Sequence, residues 1–183
     1  MKVAIARYGA GNVRSVEVAL RRLGAETCVT EAPEVVLAAD LAVLPGVGSA
    51  ATAMAGLRER GLDEALRERV SRGRPVLGIC LGLQLALEES EEDGGVPGLG
   101  LLPGRAVRLR GGRVPRIGWA AVEPEGAAYW FAHSYSAETE AATATSEGIV
   151  AEARAGSFVG VQHHPEKSGA AGARFLERCL SRA

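Results

Sequence analysis

The stretch PVLGICLGLQLALEE, residues 75–89, predicts a buried strand that passes directly into a helix. Residues 75–79 form a short apolar run after Arg74, and such a run is typical of a strand in the centre of a sheet. Proline is its first residue. Residues 81–89 continue with the apolar spacing of a helix, so that Cys80 alone connects the two elements. So short a connection requires a tight turn, and Gly78 and Gly82 provide backbone without a Cβ on both sides of it.

Strand and helix patterns alternate in the same way through the first half of the chain. Apolar runs predict strands at residues 2–6, 27–30 and 41–44, and helical periodicity predicts helices at residues 13–23 and 62–70. Asn12 is positioned to cap the first of these helices and Gly24 to end it. Such alternation indicates βα units, in which helices flank a central and mostly parallel sheet.

The second half of the chain contains shorter strand-like runs followed by one helix. Residues 90–100 are rich in acidic residues and glycine, which predicts an exposed connection within a domain. Strands are predicted at residues 106–109, 120–122, 130–133 and 160–163, and a terminal helix at residues 170–180. The sequence contains no internal repeat, and we expect residues 1–183 to form a single α/β domain.

Composition and charge exclude several classes of protein. Acidic and basic residues nearly balance, at a net charge of -1, which excludes the basic footprint of a nucleic-acid-binding protein. Arg7 interrupts the first apolar run, and no later run approaches the roughly 18 apolar residues of a membrane span. Cys28, Cys80 and Cys179 fit neither a disulfide framework nor a zinc site. We therefore expect a soluble, cytoplasmic protein that contacts no membrane.

Gly78-Ile79-Cys80-Leu81-Gly82 has the spacing of a nucleophile elbow, with cysteine where related hydrolases carry serine. The turn lifts the side chain above the strand ends, and the helix behind it brings amide groups and a positive dipole end toward the sulfur. The amide of Leu81 is therefore a candidate oxyanion donor. The alternative for this pentapeptide is a cysteine that only fills the core, which is our expectation for Cys28 and Cys179.

A glycine-rich segment, Pro45-Gly46-Val47-Gly48, follows the strand predicted at residues 41–44. In a parallel sheet it lies at the same edge as Cys80. Two glycines allow a peptide unit to turn its N–H group inward and complete an oxyanion hole. An ordinary turn between a strand and a helix is the alternative.

The motif His164-Pro165-Glu166 follows the last predicted strand. Residues two apart share a side in extended backbone, so we expect Glu166 to orient the imidazole of His164 while that ring faces the thiol. An exposed turn is the alternative.

No cofactor or metal is predicted. Gly9-Ala10-Gly11 resembles the start of a dinucleotide-binding motif, but Arg14 stands where the third glycine is expected. His163 should point away from His164, because adjacent residues of a strand face opposite sides, and this argues against a metal held by the pair.

Together these motifs resemble the class I glutamine amidotransferases, and among them the glutaminase subunits of imidazole glycerol phosphate synthases, over essentially the whole chain. The resemblance is carried by Tyr8-Gly9-Ala10-Gly11-Asn12, Leu44-Pro45-Gly46-Val47-Gly48-Ser49, Gly78-Ile79-Cys80-Leu81-Gly82-Leu83-Gln84, Gly118-Trp119, His133-Ser134-Tyr135 and Val161-Gln162-His163-His164-Pro165-Glu166-Lys167-Ser168-Gly169. It implies a flavodoxin-like α/β domain that releases ammonia from L-glutamine through a glutamyl thioester.

The resemblance also implies roles for individual residues. Cys80, His164 and Glu166 match the catalytic triad of the family. Residues 46–48 match a segment that must rearrange to form the oxyanion hole, a step linked to the partner binding its own substrate. The positions that hold glutamine or shape its pocket are matched by Gly48, Gln84, Ser134 and Tyr135.

The partner that the resemblance implies is a (β/α)8-barrel cyclase. It uses the ammonia with a ribonucleotide to give imidazole glycerol phosphate and an aminoimidazole carboxamide ribotide in histidine biosynthesis. Asn12, Trp119 and Lys167 match positions near the subunit contact, where an aromatic anchor is frequent. The chain departs from the family pattern at three positions, with alanine for asparagine, serine for tyrosine and histidine for phenylalanine at Ala120, Ser136 and His163.

Three other functions are compatible with the same residues. The chain could serve a different synthase, such as those that make anthranilate, aminodeoxychorismate, guanylate or pyridoxal phosphate. It could act alone as a hydrolase of γ-glutamyl substrates. It could also be a catalytically silent scaffold that keeps the fold for subunit contact, although all three triad residues are present.

Overall fold

The computed structural model of the chain describes residues 1–9 and 12–182. Its centre consists of strands that are mainly apolar on both faces, a pattern typical of strands that pair in parallel and are covered on both sides. These are β1 (Lys2–Ala6), β3 (Leu41–Leu44), β4 (Val76–Ile79) and β13 (Phe158–Val161). With β2 (Glu26–Thr30) they form the parallel order β13-β4-β3-β1-β2.

Antiparallel strands extend this parallel centre at its β13 edge. β12 (Ile149–Ala155) pairs with β13, and β11 (Ala142–Ser146) pairs with β12, which completes a seven-stranded sheet. A second sheet has the order β10-β7-β5-β6 and contains β5 (Glu89–Ser90), β6 (Val96–Pro97), β7 (Arg105–Arg108) and β10 (Tyr135–Glu138). β8 (Arg116–Val122) and β9 (Ala127–His133) form a hairpin.

Helices cover both faces of the central sheet, and each face has its own apolar core. One core contains residues of α2 (Pro33–Ala38), α3 (Ala50–Glu59), α4 (Leu62–Ser71) and α5 (Leu81–Ala86). The other contains residues of α1 (Val13–Arg22), α6 (Gly169–Ser181) and the β8–β9 hairpin. Two 3-10 turns, Glu92–Gly94 and Pro165–Lys167, complete the described elements.

The carboxyl ends of the central strands meet at one edge of the sheet, where ligands bind in open α/β folds. The chain continues beyond β1 to Tyr8, beyond β3 to Pro45, beyond β4 to Cys80 and beyond β13 to Gln162. Residues that are far apart in the sequence are therefore brought together at this edge.

The α/β class and the mostly parallel sheet are confirmed, whereas several local predictions are wrong. The helix predicted at residues 81–89 ends at Ala86, because Leu87 takes an extended backbone with ψ 173° and leads into β5. Residues 90–100 are not a simple connection, since they contain β6 and a 3-10 turn. Asn12 precedes α1, but its side chain makes no capping hydrogen bond. In the part of the chain that the structure describes, no helix has the length and apolar character to cross a membrane.

Candidate active site

Cys80 occupies a strained turn between β4 and α5. Its φ of 54° and ψ of -107° lie where residues with a side chain are rarely found, a strain that is common at functional sites. The turn is held by a 2.7 Å hydrogen bond from the Cys80 amide to the carbonyl of Val161 in the adjacent strand β13. A Cβ on Gly78 would lie 2.7 Å from the carbonyl oxygen of Gly82, so the close approach of strand and helix requires glycine there.

His164 and Glu166 form a buried pair above the end of β13. The Nδ1 of His164 lies 2.9 Å from Oε1 of Glu166, and the two side chains are 4% and 1% exposed. The pairing agrees with the sequence-based expectation, but its geometry differs, because Pro165 begins a 3-10 turn instead of continuing the strand. Since Glu166 engages Nδ1, the other ring nitrogen, Nε2, is left for the sulfur of Cys80.

The electrostatics of His164 favour a charged imidazole. Burial lowers the pKa of His164, but hydrogen bonds with Cys80 and Glu166 outweigh it and raise the pKa to about 9. Burial dominates at His133, whose pKa falls to about 4. A charged imidazole is the form of His164 that can donate a proton to a leaving group.

The segment at residues 46–48 packs directly against the elbow. A Cβ on Gly46 would overlap Leu81 and lie 2.6 Å from the amide nitrogen of Gly82, so only glycine permits this contact. Just before the segment, the buried hydroxyl of Tyr8 donates a hydrogen bond to the carbonyl oxygen of Pro45. Burial raises the pKa of Tyr8, and the charge of Cys80 raises it further.

A cavity of about 320 Å³ opens beside the sulfur and brings most of the expected site residues together. Those that line it are Gly46, Val47, Gly48, Cys80, Leu81, Gln84, Ser134, Tyr135, His164 and Lys167. Glu166 lies behind His164 and does not line the cavity. Asn12 and Trp119 also lie outside its lining.

Glu92 lines the same cavity, although no sequence motif indicated it. Its Oε2 accepts a 2.8 Å hydrogen bond from the amide of Ala50 at the start of α3, and burial raises the pKa of its carboxyl. Glu92 belongs to a run of acidic residues, so the sequence does not show that the Glu92 side chain, among them, faces the cavity.

Apolar side chains stand exposed near the mouth of the cavity. Trp119 is 56% exposed and lies edge-on to Trp130 with ring centroids 6.0 Å apart. Ile117, also on β8, is 62% exposed and lines the cavity, although the sequence analysis had not singled it out. Exposed apolar groups that adjoin a cavity mark a surface where another molecule can bind.

The remaining cysteines and histidine have different surroundings. Cys28 is exposed on β2, so the expectation that it packs in the core is wrong. Burial raises the pKa of the Cys179 thiol to about 11. His163 stacks on Tyr129 with ring centroids 4.1 Å apart. Within residues 1–9 and 12–182, no group of three or more histidine, cysteine or acidic side chains is arranged to hold a metal.

Comparison with known proteins identifies the family of the chain. The family model for "Glutamine amidotransferase class-I" matches residues 5–183. A solved glutamine amidotransferase has a TM-score of 0.84 at 24% identity and covers 98% of this chain and 97% of its own. The structure of PurLQS from Thermotoga maritima, at 16% identity, has a TM-score of 0.75 and covers 99% and 98%. At such identities these two structures support the fold alone.

The chain therefore belongs to the class I glutamine amidotransferase family. Among curated proteins it is similar to the imidazole glycerol phosphate synthase subunit HisH. That of Symbiobacterium thermophilum is 45% identical, over 96% of this chain and 91% of the relative. That of Methanothermobacter thermautotrophicus is also 45% identical, over 95% of each chain.

Proposed function

We propose that this chain is the glutaminase subunit of an imidazole glycerol phosphate synthase in histidine biosynthesis. It hydrolyses L-glutamine to L-glutamate and ammonia and supplies the ammonia to a cyclase subunit. The observation that carries the proposal is the buried Cys80–His164–Glu166 arrangement beside a cavity, in a chain 45% identical to HisH subunits. Residues 1–183 constitute one glutamine amidotransferase domain in this proposal.

The hydrolysis proceeds through a covalent thioester. The Cys80 thiolate attacks the carboxamide carbon, and His164 donates a proton to the nitrogen, so that ammonia leaves and a glutamyl thioester remains. His164 then removes a proton from water, the resulting hydroxide attacks the thioester, and glutamate departs as the thiolate re-forms. Glu166 holds the ring through Nδ1 and stabilises the imidazolium in both halves of the reaction.

The oxyanion of each tetrahedral intermediate requires donors close to Cys80. The amide of Leu81 is one candidate, because N–H groups in the first turn of a helix have no acceptor within the helix. The second donor is an amide of the segment at residues 46–48, in which Gly48 has φ 99° and can reorient at low cost. In the proposal this segment rearranges to form the complete oxyanion hole when the partner binds its own substrate.

The cavity provides charge and polar groups suited to the amino-acid end of glutamine. The Glu92 carboxylate is suited to pair with the α-ammonium group of glutamine. The hydrogen bond from the Ala50 amide to Oε2 of Glu92 fixes the orientation of this carboxylate. Gly48, Gln84, Ser134 and Tyr135 line the same space, and we assign them to holding the substrate or shaping its pocket.

The partner in this proposal is a (β/α)8-barrel cyclase that docks at the mouth of the cavity. The exposed Trp119 and Ile117 support this position, because large apolar side chains at the centre of an interface contribute most to binding. Asn12 at the start of α1 and the exposed Lys167 provide polar contacts at its rim. A catalytic thiol that must stay reduced fits the cytoplasm, where we propose that the pair works.

The direct test is glutamate release from glutamine by three preparations: the chain alone, the chain with the barrel cyclase, and the complex loaded with the cyclase's ribonucleotide or an analogue. Strong stimulation in the loaded complex is the expected result. Equal turnover in all three would instead identify a stand-alone hydrolase. A tight complex with another synthase, and none with the cyclase, would reject the assignment to histidine biosynthesis.

A second test separates the chemistry from the docking. Cys80→Ala should abolish glutamine hydrolysis, and His164→Ala should be nearly as damaging, with the double variant little worse because the two residues act as a unit. Ammonia added to the Cys80→Ala complex should restore the cyclase reaction. Independent, multiplying losses would contradict a shared triad.

A further inference from the structure

The chain contains very few uncharged amide side chains, and two of them lie together beneath the nucleophile. In 183 residues the sequence has one asparagine, Asn12, and two glutamines, Gln84 and Gln162. Both glutamines are buried, at 5% and 0% exposure, and their side chains are in contact. A buried carboxamide without partners is costly, so its retention in this composition indicates a specific set of hydrogen bonds.

The hydrogen bonds of Gln84 fix the orientation of its amide. Its Nε2 lies 2.9 Å from the carbonyl oxygen of Tyr135, which can only accept, so this end of the amide must be the nitrogen. The same Nε2 lies 3.1 Å from the side chain of Gln162, which must therefore present its own oxygen.

This constraint determines which end of Gln162 faces Cys80. With Oε1 engaged by Gln84, the amide nitrogen of Gln162 is directed at the sulfur, 3.6 Å away. A flipped amide would set two donors against each other at Gln84 and an oxygen against the sulfur. The assignment thus rests on a chain of bonds that ends at a backbone carbonyl.

We propose that Gln162 is a further catalytic residue, whose side-chain N–H donates a hydrogen bond to the Cys80 sulfur and stabilises it as the thiolate. This inference rests on the proposed role of Cys80 as the nucleophile. A donor aimed at an anion favours the charged form, and the low dielectric of a buried site strengthens the bond.

The other groups around the sulfur show why such a donor matters. The carbonyl oxygen of Ala132 lies 3.8 Å from the sulfur, where it accepts from a neutral S–H and repels a thiolate. The titratable groups that interact with the charge of the sulfur are His164 and Tyr8, because the charge of Cys80 raises the pKa of both. His164 must give its proton to the departing ammonia. The amide proton of Gln162 is not transferred, so its hydrogen bond to the sulfur remains available throughout the cycle.

The test is the pH dependence of Cys80 alkylation by iodoacetamide in the full-length chain. Alkylation is quantified on the Cys80 peptide by mass spectrometry, because Cys28 is exposed and reacts as well. Gln162→Met keeps the shape without the donor, and Gln162→Glu keeps an acceptor for Gln84 but turns an oxygen toward the sulfur. Loss of one hydrogen bond to a charged group should raise the pH midpoint by about one unit and slow alkylation roughly tenfold at pH values well below the midpoint.

The high-pH limit distinguishes this role from a packing role. If Gln162 only supports the structure, alkylation slows at every pH and the midpoint stays in place, which overturns the proposal. If it stabilises the thiolate, the rates of the variants and the wild type converge above the midpoint. Val43→Ala, which removes buried volume from β3 without touching a polar group, is the matched control and should keep the wild-type midpoint.

A measurement on the unsubstituted protein covers the case in which the variants do not fold. The Gln162 carboxamide protons should shift in NMR spectra with the same pH midpoint as Cys80 alkylation, and this shift should vanish in Cys80→Ala. The few side-chain amides make the assignment direct. If the chemical shift of the Gln162 carboxamide does not change at the pH midpoint of Cys80 alkylation, the inference is overturned, even when the complex releases glutamate. Absence of glutamate release with a normal Gln162 response rejects the proposed function alone.

Discussion

At the scale of single residues, the sulfur of Cys80 is controlled by groups from three separate parts of the chain. His164 follows β13, the Ala132 carbonyl belongs to β9, and the backbone of Cys80 itself is strained at φ 54°. Such strain persists only where the surroundings hold it, and here the hydrogen bond to Val161 and the close glycine contacts do so. The reactive atom therefore has a fixed position before any substrate binds.

The raised pKa of His164 gives a prediction for this residue. Hydrogen bonds with Cys80 and Glu166 raise the pKa to about 9, so Cys80→Ala should lower it. We expect the His164 Cε1–H signal in NMR to titrate at a lower pH in the variant than in the wild type. The other two histidines do not interfere, because burial lowers the pKa values of His133 and His163.

The same shift has a consequence for stability. A histidine with a raised folded pKa contributes stability that is fully present below its unfolded value of about 6.5 and is lost as pH rises toward 9. In Cys80→Ala this contribution should be smaller, and denaturant titrations should show that its loss is complete at a lower pH than in the wild type. An unchanged His164 titration would mean that the sulfur does not interact with the ring.

At the scale of elements, the end of β1 is tied to the segment that follows β3. The buried hydroxyl of Tyr8 donates to the carbonyl of Pro45, the residue before Gly46, and it does so across the sheet edge. A tether here limits how the Gly46–Gly48 turn can move, because the turn is otherwise exposed at Val47 and Gly48. In the proposed mechanism, this hydrogen bond keeps the base of the turn fixed while the peptide units beyond it reorient.

We therefore predict that Tyr8→Phe weakens catalysis through this turn. Removing the hydroxyl leaves a buried carbonyl without its donor, at a cost of about 1 kcal/mol in unfolding free energy and a several-fold lower kcat in the loaded complex. Tyr129→Phe, which alters another buried tyrosine away from the turn, is the control and should keep the wild-type kcat. Equal kcat values in Tyr8→Phe and wild type would show that the tether has no catalytic consequence.

How much of each element could be predicted from sequence depends on its burial. The apolar runs of β1, β3 and β4 are unambiguous because both faces are covered, and the predicted bounds agree within one residue. The helix after Cys80 was predicted too long, since Leu87 continues its apolar pattern although its extended backbone already leads into β5. Strands β11 and β12 are partly exposed and rich in alanine, which is depleted in strands, so they carry little strand signal.

The candidate site was more predictable than its geometry. Cys80, His164 and residues 46–48 belong to motifs in which glycines permit tight turns or the spacing orients a side chain. The structure brings them together around one cavity. Glu92 was not predicted as a site residue, because the acidic run that contains it is typical of a solvent-exposed connection. The His164–Glu166 contact was expected from extended backbone but arises from a 3-10 turn, which sequence spacing alone does not distinguish.

At the scale of the whole molecule, the cavity and the exposed apolar residues share one face. Trp119 is more than half exposed, so its replacement should leave the fold intact while removing an anchor for the partner. We predict that Trp119→Ala weakens binding of the barrel cyclase by about 2 kcal/mol, or roughly thirtyfold in Kd, as measured by calorimetry. Glu64→Ala, on an exposed position of α4, should bind normally. Wild-type affinity in Trp119→Ala would move the proposed interface elsewhere.

Behind the active site, a buried histidine makes the stability of the entire domain sensitive to acid. His163 is fully buried, stacks on Tyr129 at 4.1 Å and meets Phe131 and Phe175 edge-on at 5.8 and 5.4 Å. Burial lowers its pKa, although the nearby Glu152 and Glu166 act in the opposite direction and His164 reinforces the lowering. The unfolded chain binds a proton at this residue at a higher pH than the folded chain does, so the contribution of His163 to stability falls as the pH falls.

His163→Phe should remove this acid sensitivity. Phenylalanine suits the aromatic surroundings and cannot titrate, and the Glu152 carboxylate that loses its 3.4 Å contact with Nε2 is 18% exposed and can be hydrated. We predict nearly equal unfolding free energies for variant and wild type at pH 8, and a variant that is more stable than the wild type at pH 5. Denaturant titrations at the two pH values measure the difference in unfolding free energy between variant and wild type. Other titrating groups, including His133, contribute equally to both proteins and cancel. A difference that does not change with pH would show that His163 takes up a proton in the folded domain as easily as in the unfolded chain.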